Sequence, residues 1–331
     1  MNLFDQDAIF PSSAFDLLSP IRYPLMQDVV CEIKKAFAAS ISPEKIEGAT
    51  AAYLLRDCKK KPLAIFKAQG YLHECTAHLL DYKAFAGVPP TVVTSLHHPI
   101  LGGLALGGEV IGSCQLFYKG RSLNPADVQN LKTAKSIRRI ALLDMRLLNS
   151  DRHSGNILVH KDALIPVDHH LTLPPQFFGC SFGWSHWPGA HTSFSAEEKN
   201  YITHLDAEKE RQFLLEKIGL PISCGNLHFI ALQILKAAMD QDLNAHQLSF
   251  FYRLSPDILP TRTLAPLPKN LPIIRDLFKV MNYLSEDAFW SSQKHHTIAI
   301  KDCIAHFAAT WKSVRDPYQR AISNLLPSIP K

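Results

Sequence analysis

The spacing of apolar residues divides the chain into a β-rich first part and a helical second part. Val29, Val30, Ile33 and Phe37 recur at three- and four-residue steps, which predicts a lead-in helix over 26–40 after an irregular arm over 1–20. From Gly48 the pattern changes. ATAAYLL, the charged turn RDCKKKP and LAIFK read as two strands of a hairpin, the second ending at Lys67. Over 70–84, Leu72, Cys75, Leu79 and Leu80 fall on one face of a further helix, with Glu74 near its start. GVPPTVV opens another strand after a proline turn, LHHPILGGLALGG is loop-like by its glycines, and a strand over 110–117 closes the β-rich part. Beyond it, 125–148 is predicted mostly helical. An apolar run at 157–159, a polar turn at 160–163 and a second run at 164–167 predict a β-hairpin. Residues 174–195 read as a partly ordered loop packed by Phe182, Trp184 and Trp187, and Ser195 ahead of Glu197 and Glu198 marks a helix start. Further helices are predicted over 201–215, 227–239, 274–284 and 288–311, with an irregular proline-rich stretch at 256–272. No internal repeat is present.

Composition sets the class. With 331 residues, 47% hydrophobic and 20% charged, the chain can bury a large core and lacks the low hydrophobicity of disorder. A net charge of +5 suits approach to an anionic surface but is too modest for a nucleic-acid partner, and no basic run exceeds the KKK at 59–61. Seven cysteines without a CxxC pair read as the reduced, buried thiols of a cytoplasmic protein. The histidines of HECTAH stand five apart rather than the four a helical zinc motif needs. The N-terminus carries acidic residues and a proline where a secretory signal needs basic ones and an apolar core. No uncharged apolar stretch is long enough to span a bilayer, so membrane contact is expected to be peripheral.

The chemistry gathers at the hairpin. If Ile157 faces Val167, Asn156 and Asp168 leave its open end side by side, with Asp151 in the loop just before. Two carboxylates and an amide oxygen then converge, a hard donor set suited to Mg²⁺ shared with substrate phosphates. That is the metal end of a phosphotransferase site. The β-rich part supplies the rest: a phosphate-facing turn at 48–52 with Gly48, Ala49 and Thr50, the strand lysine Lys67, and a carboxylate to hold that lysine. Between Lys67 and Glu109 the only acidic residues are Glu74 and Asp81, and Glu74 is the better placed. Asp and Asn five residues apart are common in ordinary loops. Their order after a strand lysine and before Asp168 favours a nucleotide site.

Taken together, GVPPT, IGSCQLF, LLDMRLLNSDRHSGNILV, LIPVDHHLTLP, the Cys, Phe and Trp pattern over 180–190 and YITHLDAEKE resemble the phosphatidylinositol 3- and 4-kinase catalytic domain. They resemble in particular the type II phosphatidylinositol 4-kinases, whose pattern GYLHE also matches, and the plant gamma-type enzymes. The likeness runs over about 48–254. It implies an α+β, bilobal protein-kinase-like fold with an antiparallel β small lobe (41–118), a mainly helical large lobe (119–331) and an N-terminal arm (1–40). It makes Lys67 the ATP-phosphate lysine and Glu74 its partner. Asp151 becomes the catalytic residue, with Arg152 and His153 in the same motif, and Asn156 and Asp168 bind Mg²⁺, or Mn²⁺ in its place. Gln115, Leu116 and Phe117 become the hinge along which adenine lies, and 169–195 the activation segment. The expected reaction is transfer of the ATP γ-phosphate to an inositol hydroxyl of phosphatidylinositol. A protein serine or threonine acceptor is the alternative, and a nucleotide-binding pseudokinase the third reading. The chain departs from the family in four places: the phosphate turn keeps one glycine, the type II insert between the lysine and the helix is reduced to Ala68 and Gln69, Asp168 is followed by His169 and His170 without the usual glycine, and 169–195 holds four histidines but no Lys or Arg.

Overall fold

Five antiparallel strands in the order β1-β2-β3-β5-β4 form the first lobe: β1 (Glu44–Ile46), β2 (Ala52–Arg56), β3 (Pro62–Lys67), β4 (Thr91–His97) and β5 (Glu109–Leu116). The computed structural model describes residues 17–47, 51–102, 109–129, 133–161 and 163–252, with isolated positions 301 and 305. The expectations for 48–50 and for 256–311 lie outside the described residues. Strand β3 is central, paired from Ala52↔Lys67 to Leu54↔Ile65 on one side and from Lys67↔Ser113 to Ala64↔Leu116 on the other. The predicted lead-in helix is α1 (Pro24–Ala38), which lays Met26, Val29, Val30 and Ile33 on Leu55, Phe66, Val92, Leu96 and Cys114. At three residues, β1 is too short to show an alternation and was not foreseen.

Helix α2 (Tyr71–Leu80) is shared by both lobes, since Leu72, Cys75, Ala77 and Leu80 pack with Val93 and with Leu143, Leu147, Leu214 and Ile218. It stops four residues before the predicted end because the Asp81 carboxylate turns the chain. Asp81 accepts the N–H groups of Ala86, Gly87 and Val88 at 2.8, 3.0 and 2.9 Å. This also uses the one acidic side chain that competed with Glu74 for the lysine.

The second lobe is built on α3 (Ala134–Leu147) against α6 (Ile222–Asp240), with Ile137, Ile140, Ala141 and Met145 in one core with Leu227, Ile230, Ile234 and Leu235. Short strands sit at its front: β6 (Arg121–Ser122), β8 (Ile157–His160) and β9 (Ala163–Pro166) in one sheet, and β7 (Asp151–Arg152) parallel to β10 (Ser181–Phe182). Helix α4 (Ala196–His204) starts at a capping box in which Ser195 and Glu198 bond reciprocally, as its sequence signal implied. The single helix expected over 201–215 is broken after His204, where Asp206 caps a new helix α5 (Ala207–Gln212) that continues as a π-helical turn, Phe213–Ile218. Helix α7 (Ala245–Tyr252) follows, almost wholly buried.

One expectation needs correction. Cys31 and Cys58 are exposed, while Cys75, Cys114, Cys180 and Cys224 are buried as expected. Helix α6 is by length and composition apolar enough to cross a bilayer, but 78% of that window is buried inside the fold, as befits a core helix. An antiparallel sheet lobe beside a helical lobe is the α+β, bilobal arrangement predicted.

Candidate active site

Strand β3 delivers Lys67 to the boundary between the lobes, where its ammonium meets two carboxylates. It lies 2.6 Å from Glu74 Oε1 on the first turn of α2 and 2.8 Å from Asp168 Oδ1 just beyond β9. Lys67 and Glu74 are 9% and 1% exposed, so these charges stand in a low dielectric and depend on each other. Burial opposes the charge on Lys67, but Glu74 and Asp168 outweigh it and raise its pKa. Burial likewise pushes Glu74 up, and the Lys67 ammonium, with the His169 ring nearby, holds it instead at about 2. Asp168 is lowered well below the carboxylate range by the His170 hydrogen bond and by Lys67, against its burial. The ligand-capable atoms of Glu74, Asp168 and His170 lie within 4.8 Å of one another. The cation already among them is the Lys67 ammonium, which occupies Glu74.

The loop between α3 and the hairpin places the other residues. Its Asp151 N–H is held by Asn149 Oδ1 at 3.1 Å, and the Asp151 side chain is 45% exposed. Asn156 is buried, its Nδ2 donating to the Asp151 carbonyl at 2.9 Å, and among the described residues its Oδ1 accepts no bond. The hairpin pairs Ile157↔Pro166 and His160↔Ala163, so Ile157 faces Pro166 rather than Val167. A turn of only two residues between His160 and Ala163 sets this register. Val167 N–H still bonds the Asn156 carbonyl at 3.0 Å, so Asn156 and Asp168 do leave the same end. Asp151, Asn156 and Asp168 thus offer oxygen donors on neighbouring backbone, a set that fits a hard divalent cation.

Arg152 and His153, the two motif residues after Asp151, differ in burial. The Arg152 guanidinium is sealed from solvent, its Nε at 3.0 Å from both Asp144 oxygens and its NH1 at 2.5 and 2.6 Å from the carbonyls of Asn156 and Val167. It ties loop to hairpin. His153 is exposed, its Nδ1 accepting the Gly155 N–H at 3.0 Å and its Nε2 3.9 Å from Asp151 Oδ2. Asp144 and Trp184 were missed. Asp144 also accepts Asn149 Nδ2 and Trp184 Nε1, each at 2.9 Å. The available signal was a lone aspartate inside the apolar helix segment LLDMRLL. Gly183 follows Trp184's neighbour Phe182 closely over this loop: a Cβ there would stand 3.1 Å from the Arg152 carbonyl.

At the hinge, the Gln115 amide donates to Thr91 Oγ1 at 3.0 Å, Leu116 N–H to Pro90 O at 2.8 Å, and Phe117 N–H to Leu63 O at 2.9 Å. The donors of Leu116 and Phe117 are therefore engaged within the sheet lobe, and the first hinge N–H outside these bonds among the described residues is that of Tyr118. Gly48, Ala49 and Thr50 lie outside the described residues, but Ala52 just after them pairs with Lys67. Within 169–195, Trp184 is fully buried and stacked on Phe182 at 4.6 Å, and His191 stacks on His246 at 4.0 Å.

Residues 50–219 match the family model for phosphatidylinositol 3- and 4-kinases. Among curated proteins, phosphatidylinositol 4-kinase gamma 4 of Oryza sativa subsp. japonica is 34% identical over 197 residues, covering 54% of this chain and 34% of that protein. Phosphatidylinositol 4-kinase gamma 4 of Arabidopsis thaliana is 33% identical over 199 residues, covering 54% and 35%. Phosphatidylinositol 4-kinase gamma 1 of Arabidopsis thaliana is 30% identical over 277 residues, covering 67% and 49%. The chain spans about a third of the length of the first two relatives.

Proposed function

The chain belongs to the phosphatidylinositol 3- and 4-kinase family, and from that premise we propose that it transfers the γ-phosphate of ATP to the 4-hydroxyl of phosphatidylinositol at a membrane surface. The observation that carries this reading is the Lys67 ammonium bridging Glu74 and Asp168 between the lobes. Phosphoryl transfer needs little covalent chemistry from the protein and much positioning of charge. Lys67, oriented by Glu74, neutralises the ATP phosphates. Adenine lies along the hinge and takes its backbone donor from Tyr118. Asp168 and Asn156 would hold Mg²⁺, or Mn²⁺ on the same oxygens, and the bound ion would supply positive charge to the transferring phosphate. Asp151, half-exposed and next to the metal residues, accepts the proton of the attacking hydroxyl. Arg152 keeps Asp151 and Asn156 in register with Asp168 through its bonds to the carbonyls of Asn156 and Val167.

The test is radiolabelled ATP offered to the purified chain with phosphatidylinositol vesicles and, in a separate arm, with a protein extract. Label is expected in the lipid, and Asp151→Asn should lower turnover by roughly 10²–10⁴-fold with ATP binding retained. Label in protein alone would overturn the lipid acceptor. That second reading, a protein serine or threonine kinase of the same fold, is favoured by one observation: 169–195 offers no fixed positive charge to a lipid headgroup.

A further inference from the structure

The two histidines after Asp168 wedge the metal loop against α2. His169 is fully buried, its Nδ1 3.7 Å from Glu74 Oε2. His170 turns the other way, and its Nδ1 lies 2.5 Å from Asp168 Oδ1. A carboxylate only accepts, so Nδ1 carries the proton of this bond. The backbone behind His170 rests on Gly70, the N-cap of α2. A Cβ on Gly70 would stand 2.5 Å from His170 Cβ and 3.2 Å from its Cα, and the φ of +63° at Gly70 is one that glycine adopts without strain.

We propose that His170 is a positioning residue for the metal, holding the Asp168 carboxylate by one oxygen so that the other is presented to the cation, with Gly70 making room for it. The inference rests on the phosphotransferase reading above. Both Lys67, at 2.8 Å, and His170 bond Oδ1, while among the described residues Oδ2 has no partner and is not sealed from solvent. Lys67 is a temporary anchor, because its ammonium must turn toward the ATP phosphates when nucleotide binds. His170 is a lasting one, because it belongs to the same short segment as Asp168 and is braced from behind by α2. Asp168 needs such an anchor. Its own backbone sits at φ +60°, in the left-handed region, and among the described residues the bonds of Lys67 and His170 to Oδ1 are the ones that orient its carboxylate.

The test is binding of Mn²⁺, followed by electron paramagnetic resonance, to the full chain saturated with a non-hydrolysable ATP analogue. His170→Ala is expected to weaken Mn²⁺ binding ~10–100-fold, the usual effect of removing a partner that orients a ligating group. His170→Asn, whose Nδ2 stands close to where the imidazole Nδ1 was, should restore most of that loss. A merely structural histidine would not be rescued in this way. Gly70→Ala should also weaken Mn²⁺ binding, because its Cβ would meet His170 Cβ and Cα and push the imidazole from Asp168. Circular dichroism on each variant confirms that it is folded. Unchanged Mn²⁺ binding in His170→Ala, or a His170→Asn chain as weak as His170→Ala, overturns the inference while the phosphotransferase reading stands. Failure of the native chain to bind Mn²⁺ with the nucleotide analogue overturns both.

Discussion

Asp144 and Asp168 are two aspartates of one chain, each gripped by a basic side chain and by a second nitrogen donor, and they end up in opposite trades. Asp144 is 0% exposed, and both of its oxygens are used: Arg152 bonds both, Asn149 adds to Oδ1 and Trp184 to Oδ2. Asp168 is 24% exposed and has only Oδ1 engaged. The difference is one of saturation. A buried carboxylate with every lone pair in use is fixed in place and can only organise its surroundings. A carboxylate held by one oxygen and wet on the other is oriented yet still has something to offer. The partners differ in the same sense: the Arg152 fork is committed to Asp144 and two carbonyls, whereas the Lys67 ammonium can turn to a substrate phosphate.

The largest effect that follows is on Asp144. Asp144→Asn leaves the sealed Arg152 charge without its counter-charge, and breaking a buried pair in this way costs about 3–5 kcal/mol of stability. Urea denaturation measures it, and a loss of activity without a loss of stability would break the contrast. Asp168→Asn is expected to do the reverse. Turnover falls by roughly 10²–10³-fold, as for other groups that stabilise charge in a transition state, while the urea midpoint falls by less than in Asp144→Asn, because Glu74 still neutralises Lys67. If Asp168→Asn instead unfolds the chain, the carboxylate is a structural member of the Lys67 cluster and the two regions are alike.

The same contrast explains what the amino-acid order disclosed. Lys67 and Glu74 stand 7 residues apart and Asp168 lies 101 residues beyond Lys67, yet each stands close to a point where an element ends or begins, and their residue types match one reaction. They could be read before the fold was known. Asp144 could not, because an aspartate in an apolar helix face has no partner in sequence. Arg152 and Trp184 meet it only after α3, the loop and 169–195 have packed. Arg152 was assigned to the chemistry by its place in a motif, and burial moved it beneath the site. The hairpin was legible from its apolar runs, but its register was set by a two-residue turn, which shifted the facing pair to Ile157↔Pro166. The donors left open at the hinge depend on packing in a related way. Which backbone donors are free depends on strand pairing, and Leu116 and Phe117 had theirs engaged.

A milder probe is pH. Glu74 and Asp168 have folded pKa values below their unfolded ones, so their contribution to stability is complete above the unfolded carboxylate range and is lost as pH falls through the folded values. For Glu74 that window runs from 4.5 down to about 2. Lys67 is raised, so its contribution is present below 10.5 and is lost only as pH rises through its folded value. The cluster therefore gives a plateau at neutral pH with an acid limb and an alkaline limb. In Lys67→Met the main influence lowering Glu74 is gone and burial pushes its carboxyl back up, so the acid limb should flatten. Urea midpoints between pH 2 and 8 for the two chains would show it. Identical acid limbs would mean that some other carboxylate governs acid stability.

The smallest expected effect tests how far saturation of Asp144 matters for its own sake. Trp184→Phe removes one N–H from Oδ2 but leaves Arg152 on both oxygens and Asn149 on Oδ1. A hydrogen bond to a charged group contributes about 1.5–3 kcal/mol, and phenylalanine keeps most of the ring packed against Phe182, so the loss of stability should fall within that range. Turnover per folded molecule should change little, because Arg152 still ties Asn156 and Val167 together. If Trp184→Phe lowered turnover sharply while leaving the urea midpoint alone, the indole would be acting on the loop through Asp144. A saturated carboxylate would then transmit position to the site as well as holding the fold, and the line drawn between the two aspartates would have to move.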